Sequence, residues 1–107
     1  MILNSKVMGS GHPLIILHGL FGSLENWNSI ARELSTKFQV HIIDQRNHGK
    51  SFHSNDHTYY AMSQDLKKYI NAYGIYKPSL IGHSMGGKTA MQFALDNSNM
   101  LNLSLIH

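Results

Sequence analysis

The sequence predicts an α/β protein: one mostly parallel sheet with helices flanking it. Three observations carry that expectation. Short, uniformly apolar runs occur at Leu14-Ile15-Ile16-Leu17, Val40-His41-Ile42-Ile43 and Leu80-Ile81, as strands buried on both faces require. Between them the apolar period lengthens to that of a helix. The two kinds of segment alternate along the chain, which is the order that crossover connections between parallel strands produce.

The elements follow in chain order. Met1 to Met8 is expected as a leading edge strand, turned by Gly9-Ser10-Gly11. Pro13 opens the first buried strand. Trp27, Ile30, Ala31 and Leu34 then fall at i, i+3, i+4 and i+7, one apolar stripe on a helix. After the strand 40–43, a second stripe is formed by Met62, Leu66, Tyr69, Ile70 and Tyr73. Gln64, Asp65, Lys67, Lys68 and Asn71 are expected to face water there, and Gly74 to stop the helix. Pro78 opens the strand that contains Leu80-Ile81. Lys88 to Leu95, rich in Ala and Met, reads as a third helix, and Leu101 to Ile106 as a further strand.

A chain of 107 residues is at most one small domain. Its 42% hydrophobic and 14% charged residues suit a folded core rather than disorder. The nine Lys and Arg residues are scattered from Lys6 to Lys88, so no patch tracks a phosphate backbone and no nucleic-acid partner is expected. With no cysteine, disulfides and thiolate metal sites are excluded. The start of the chain lacks the pattern of a signal peptide, and no apolar run approaches the roughly 20 residues of a membrane span. The expectation is a soluble, cytoplasmic protein without a membrane partner. Asn102-Leu103-Ser104 fits a glycosylation sequon that such a protein would not use.

Chemistry concentrates at Gly82-His83-Ser84-Met85-Gly86, between a strand and a helix. This fits the G-x-S-x-G nucleophile elbow, in which a serine on a strained turn projects its hydroxyl above the sheet. Glycines two before and two after are needed because side chains there would collide with the neighbouring strand and helix. The amide of Met85, at a helix N-terminus, would then face the oxyanion formed during acyl transfer. Gly82 through Thr89 also fits G-x-x-x-x-G-K-S/T, the phosphate-binding P-loop, for which Asp44 could help hold magnesium. The pattern alone does not separate the two. The elbow needs a second oxyanion donor from an earlier strand–helix loop, and His18-Gly19-Leu20-Phe21-Gly22 offers one directly after Leu17.

His-Gly-Leu-Phe-Gly-Ser at 18–23, Asp44-x-Arg46-x-His48-Gly49-x-Ser51, and Gly-His-Ser-Met-Gly-Gly-Lys at 82–88, in this order and spacing, resemble the α/β-hydrolase family, and within it the small YbfF-like esterases and thioesterases. The resemblance runs from about Leu14 to Leu105. It implies the N-terminal half of an α/β-hydrolase fold, one partial domain over 1–107, with Ser84 as catalytic nucleophile and the backbone amides of Leu20 and Met85 as oxyanion hole. Loss of one such donor typically costs about 3 kcal/mol of transition-state stabilisation. Phe21 would line the acyl pocket or pack in the core. The substrate would be a small-molecule ester or thioester, with no cofactor and no metal. A serine at the elbow argues against the branches that use an aspartate there.

Other residues are expected to be structural. The eight histidines are spread from His12 to His107, and none is expected to form an i, i+4 helical pair with a nearby carboxylate. His18 and His83 are expected to hydrogen-bond locally, and Asp44, Arg46 and His48 to anchor a loop at a strand end. Ser84, Asp96 and His107 have the chain order of a triad, but Asp96 lies one helix away, roughly 18 Å from the serine. The family's acid and histidine would come from loops after later strands, beyond residue 107. The chain is therefore expected to be a fragment with little activity of its own, prone to self-association through an unpaired sheet edge.

Overall fold

A computed structural model describes the backbone of residues 1–106 and the side chains of residues 1–102. Five strands form one sheet: β1 (Ser5–Met8), β2 (His12–Leu17), β3 (Phe38–Ile43), β4 (Ser79–Gly82) and β5 (Leu103–Ile106). Their spatial order is β1-β3-β2-β4-β5. β1 runs antiparallel to β3, and the other neighbours are parallel, with Leu17 level with both Ile43 and Gly82. The carboxyl ends of β2, β3 and β4 thus open at one end of the sheet, where parallel α/β folds place their sites.

Three helices complete the layers: α1 (Asn28–Leu34), led in by a 3₁₀ turn at Leu24–Trp27, α2 (Tyr59–Ala72) and α3 (Met85–Asp96). The strands are apolar at successive positions because both faces are covered. Ile15, Leu17, Ile43 and Leu80 point to one side, against Leu66, Tyr69 and Ile70 of α2 and Ala90 and Phe93 of α3. Leu14, Ile16, Val40 and Ile42 point to the other, where Leu24 and Ala31 lie. Burying one such side chain contributes about 1.5–3 kcal/mol.

Local signals set the ends of α2. The Thr58 hydroxyl accepts the Ala61 amide at the N-terminus. At the C-terminus Gly74 takes φ 62°, the Ile75 amide donates to the Ile70 carbonyl, and the Gly74 amide to that of Asn71. This is a Schellman closure, which requires a left-handed residue where the helix stops.

Three helical expectations change. Asp65 does not face water. It is buried, and Arg46 grips it with two hydrogen bonds of 2.6 and 2.8 Å. Ile30 is exposed, so Ala31 is the deeply buried residue of α1, and Trp27 and Leu34 pack at the margin of its core. Tyr73 is exposed beyond the end of α2, with its ring 4.6 Å from that of Tyr69. The last strand starts at Leu103 rather than Leu101. His107 lies outside the described residues.

Candidate active site

β4 ends at Gly82 and α3 starts at Met85, so only His83 and Ser84 make the turn. The glycines permit it by contact. A Cβ on Gly82 would overlap the backbone of Gly86 and Gly87, and one on Gly86 would overlap the carbonyl groups of Leu17 and His18. Ser84 has φ 53° and ψ −112°, a backbone conformation that costs an L residue about 1–3 kcal/mol. Serine before a helix normally adopts extended backbone and caps the first turn with its hydroxyl. Here the hydroxyl makes no cap, and the side chain is exposed. Met85 is the first residue of α3, where amides have no acceptor within the helix.

The loop after β2 lies against this turn. A side chain at Gly19 would meet the His83 ring at 3.1 Å and the Ser84 Cβ at 3.5 Å. The Gly22 amide donates to the Gly19 carbonyl at 3.0 Å, and Phe21 has φ 63°, which together make a type II turn. Glycine would take that position without strain. Phe21 is held there because its amide donates to His48 Nε2 at 3.1 Å.

Buried side chains lock both loops together. His18 is fully buried. Its Nε2 accepts the Gln45 amide at 3.0 Å, so its Nδ1 carries the proton and donates to the Gly19 carbonyl at 2.8 Å. Burial keeps this imidazole below its ordinary pKa. The Gly19 carbonyl opposes that shift, His48 adds to it, and Asp44 opposes it. The Gln45 carboxamide donates to the His18 carbonyl at 2.9 Å, and its oxygen lies 2.9 Å from the Thr89 hydroxyl of α3. Gln45 and Thr89 thus tie the strand ends to the helix behind Ser84.

Asp44 holds the outer loop. Burial alone would raise its carboxyl, but the amides of Leu24 and Lys50, the Asn4 carboxamide and His18 outweigh that and hold it below the usual range. Its oxygens accept those three hydrogen bonds at 2.8, 3.0 and 2.9 Å. Gly49 packs on the carboxylate so closely that a Cβ there would overlap it. Asp44, Arg46 and His48 are therefore loop anchors, as expected from their place at a strand end.

Leu20, Ser84 and Met85 line one cavity of about 320 Å³, together with His57, Tyr59, Met62 and Lys88. Phe21 lies elsewhere. Phe21 is 92% exposed, which rules out core packing, and it borders a neighbouring hollow with Asn47, His48 and His57. The residues of the P-loop pattern are mostly within α3. The Thr89 hydroxyl is used inside the protein, and the Lys88 ammonium lies 5.8 Å from the Tyr59 ring centre. Asp96 is at the far end of α3, where its carboxylate accepts the Gln92 carboxamide. The sequence reading missed Gln45, Thr89, His57 and Lys88 as neighbours of the site. Only their spacing to the motifs hinted at them, and spacing does not show direction. Among the described residues no three His, Asp or Glu side chains are grouped to hold a metal ion, and no helix is long and apolar enough to cross a membrane.

The chain belongs to the alpha/beta hydrolase fold family, whose pattern matches residues 12–106. It is 50% identical over 95 residues to the sn-1-specific diacylglycerol lipase ABHD11 of Danio rerio, covering 87% of this chain and 30% of that protein. It is 46% identical over 79 residues to Esterase YbfF of Escherichia coli (strain K12), covering 74% and 31%. A solved structure described as a marine microorganism esterase superposes with a TM-score of 0.97 at 48% identity, over 98% of this chain and 41% of that one. The chain thus spans about 30% of the length of these two sequence relatives.

Proposed function

We propose that Ser84 is the nucleophile of a serine hydrolase that cleaves small carboxylic esters or thioesters. The observation that carries this reading is the backbone of Ser84, which sits at φ 53° without capping the helix that follows. Strain of this kind persists only where the surroundings hold it, and it exposes a hydroxyl that an ordinary helix cap would consume.

The Ser84 Oγ attacks the substrate carbonyl carbon, and the carbonyl oxygen gathers negative charge. The amides of Leu20 and Met85 donate to that oxygen. The side chains of these two residues are incidental to this role. Collapse expels the alcohol or thiol and leaves an acyl group on Ser84, which water then removes. His18 is fully buried as the neutral Nδ1–H form and serves as a brace, not as the base. The resemblance implies that base and acid come from loops after later strands, in the part of the relatives that this chain does not span. The 107-residue chain alone is therefore expected to turn over little substrate.

Ser84→Ala in the full-length protein tests the reading. Turnover of a chromogenic ester and labelling by a fluorophosphonate should both disappear. Labelling that persists on another serine would remove Ser84 from the mechanism.

A further inference from the structure

The cavity beside Ser84 has one formal charge in its wall. Leu20, Met62 and Met85 are apolar, Tyr59 and His57 complete the lining, and no carboxylate is among them. The charge is Lys88, and among the described residues the ion pair present is Arg46 with Asp65, which leaves Lys88 uncompensated. Lys88 is exposed, and its ammonium lies 5.8 Å from the centre of the Tyr59 ring, which lines the same cavity. The start of α3 adds positive partial charge at the same place.

We propose that this cavity receives a carboxylate carried by the substrate, bound by the Lys88 ammonium. The inference rests on Ser84 as the reacting residue and names the substrate class for it. Lys88 follows Ser84 by four residues, so it lies about 6 Å farther along the helix. A half ester of a short dicarboxylic acid would present its carbonyl to Ser84 and its free carboxylate to Lys88, both of which line this cavity. An ester with the carboxylate on its leaving group presents the same chemistry from the other side. A lysine placed only to solvate a helix would show no preference between charged and neutral substrates.

The test uses full-length protein and three esters: the p-nitrophenyl half ester of glutaric acid, its neutral methyl ester, and 4-butyryloxybenzoate. In Lys88→Met, the ratio of kcat/KM for the charged to the neutral glutarate ester should fall about tenfold, the scale of one charge-assisted hydrogen bond. Lys88→Arg should retain most of the ratio. If only 4-butyryloxybenzoate is affected, the carboxylate is read on the leaving side. A ratio unchanged for both charged esters overturns the proposal. Calorimetric titration with glutarate, on Ser84→Ala with and without Lys88→Met, separates the two readings. Glutarate binding that needs Lys88, without turnover of any ester by the wild type, upholds the anion site and sinks the nucleophile. Turnover of the neutral ester with no Lys88-dependent binding does the reverse.

Discussion

His48 Nε2 accepts the amide hydrogen of Phe21 at 3.1 Å, across 27 positions of sequence. The other ring nitrogen, Nδ1, lies 2.9 Å from the Arg46 carbonyl, so the imidazole bridges two loops at the open end of the sheet. Phe21 keeps its φ of 63° against the ordinary preference of a bulky residue because this bond and the Gly19–Gly22 turn determine it. The orientation of the Leu20 amide depends on that turn.

His48→Ala should therefore loosen the turn without touching substrate. The expected outcome in full-length protein is a fall in kcat of about tenfold with little change in KM, and a stability loss of about 1–2 kcal/mol. His48→Gln, which can still offer an acceptor, should recover part of kcat. An unchanged kcat in His48→Ala would show that the loop holds its shape unaided.

Two glycines should respond very differently to alanine. At Gly86 a Cβ meets the Leu17 and His18 carbonyl groups, backbone at the end of the central strand β2 that cannot retreat. Gly86→Ala should cost several kcal/mol, about 3 or more, and yield little soluble protein. At Gly74 a Cβ meets nothing within 4 Å, so only the strain of φ +62° remains. Gly74→Ala should cost about 1 kcal/mol. Urea midpoints of the two variants decide the order, and equal losses would contradict the steric account of the elbow.

Much of this was legible in the sequence because the signals are local. Short apolar runs flanked by glycine marked β2 and β4, and the serine between Gly82 and Gly86 marked the turn that the backbone makes. What was not legible depends on distant partners. Asp65 looked like a solvent-facing residue because helical spacing reads polarity alone, whereas Arg46, 19 positions earlier, draws it inward. Phe21 lies in the loop after β2, and its left-handed φ and its place in the hollow with His48 depend on His48, 27 positions later. Lys88 belonged to a phosphate-loop pattern by spacing, but in α3 it lines the cavity of Ser84.

Acid should weaken the fold in two stages. Burial lowers His18 and His41 below 6.5, the ordinary histidine value. The unfolded chain then takes up protons that the native histidines resist, so their contribution is complete above about 6.5 and declines as pH falls below it. Asp44 is held below 3.8, so its contribution is present above that value and is lost as pH falls through the lowered native one. Unfolding free energy measured from about pH 8 downward should be flat to near neutrality, decline through the histidine range, and drop again below about pH 4. In His18→Asn the first decline should become shallower. Stability that rises between about pH 6.5 and 5 would contradict the neutral imidazole assigned to His18.

The two ends of the sheet differ in how they meet solvent, and self-association should follow from that difference. β1 is antiparallel, only four residues long, and carries an exposed Lys6, features that discourage pairing with another chain. Among the described residues β5 is hydrogen-bonded to β4 alone, which leaves a second row of backbone donors and acceptors at the opposite end. α3 packs against β4 and β5, and Met91 and Leu95, one turn apart on it, are 49% and 81% exposed. An unprotected parallel edge beside an exposed apolar helix face offers both strand pairing and area to bury. Sedimentation of the 107-residue chain should show a mass that rises with concentration. The double variant Met91→Lys, Leu95→Lys should shift that equilibrium toward monomer without altering the far-ultraviolet circular dichroism. A monomer at every concentration, unaffected by the two lysines, would show that the β5 edge is not an association surface.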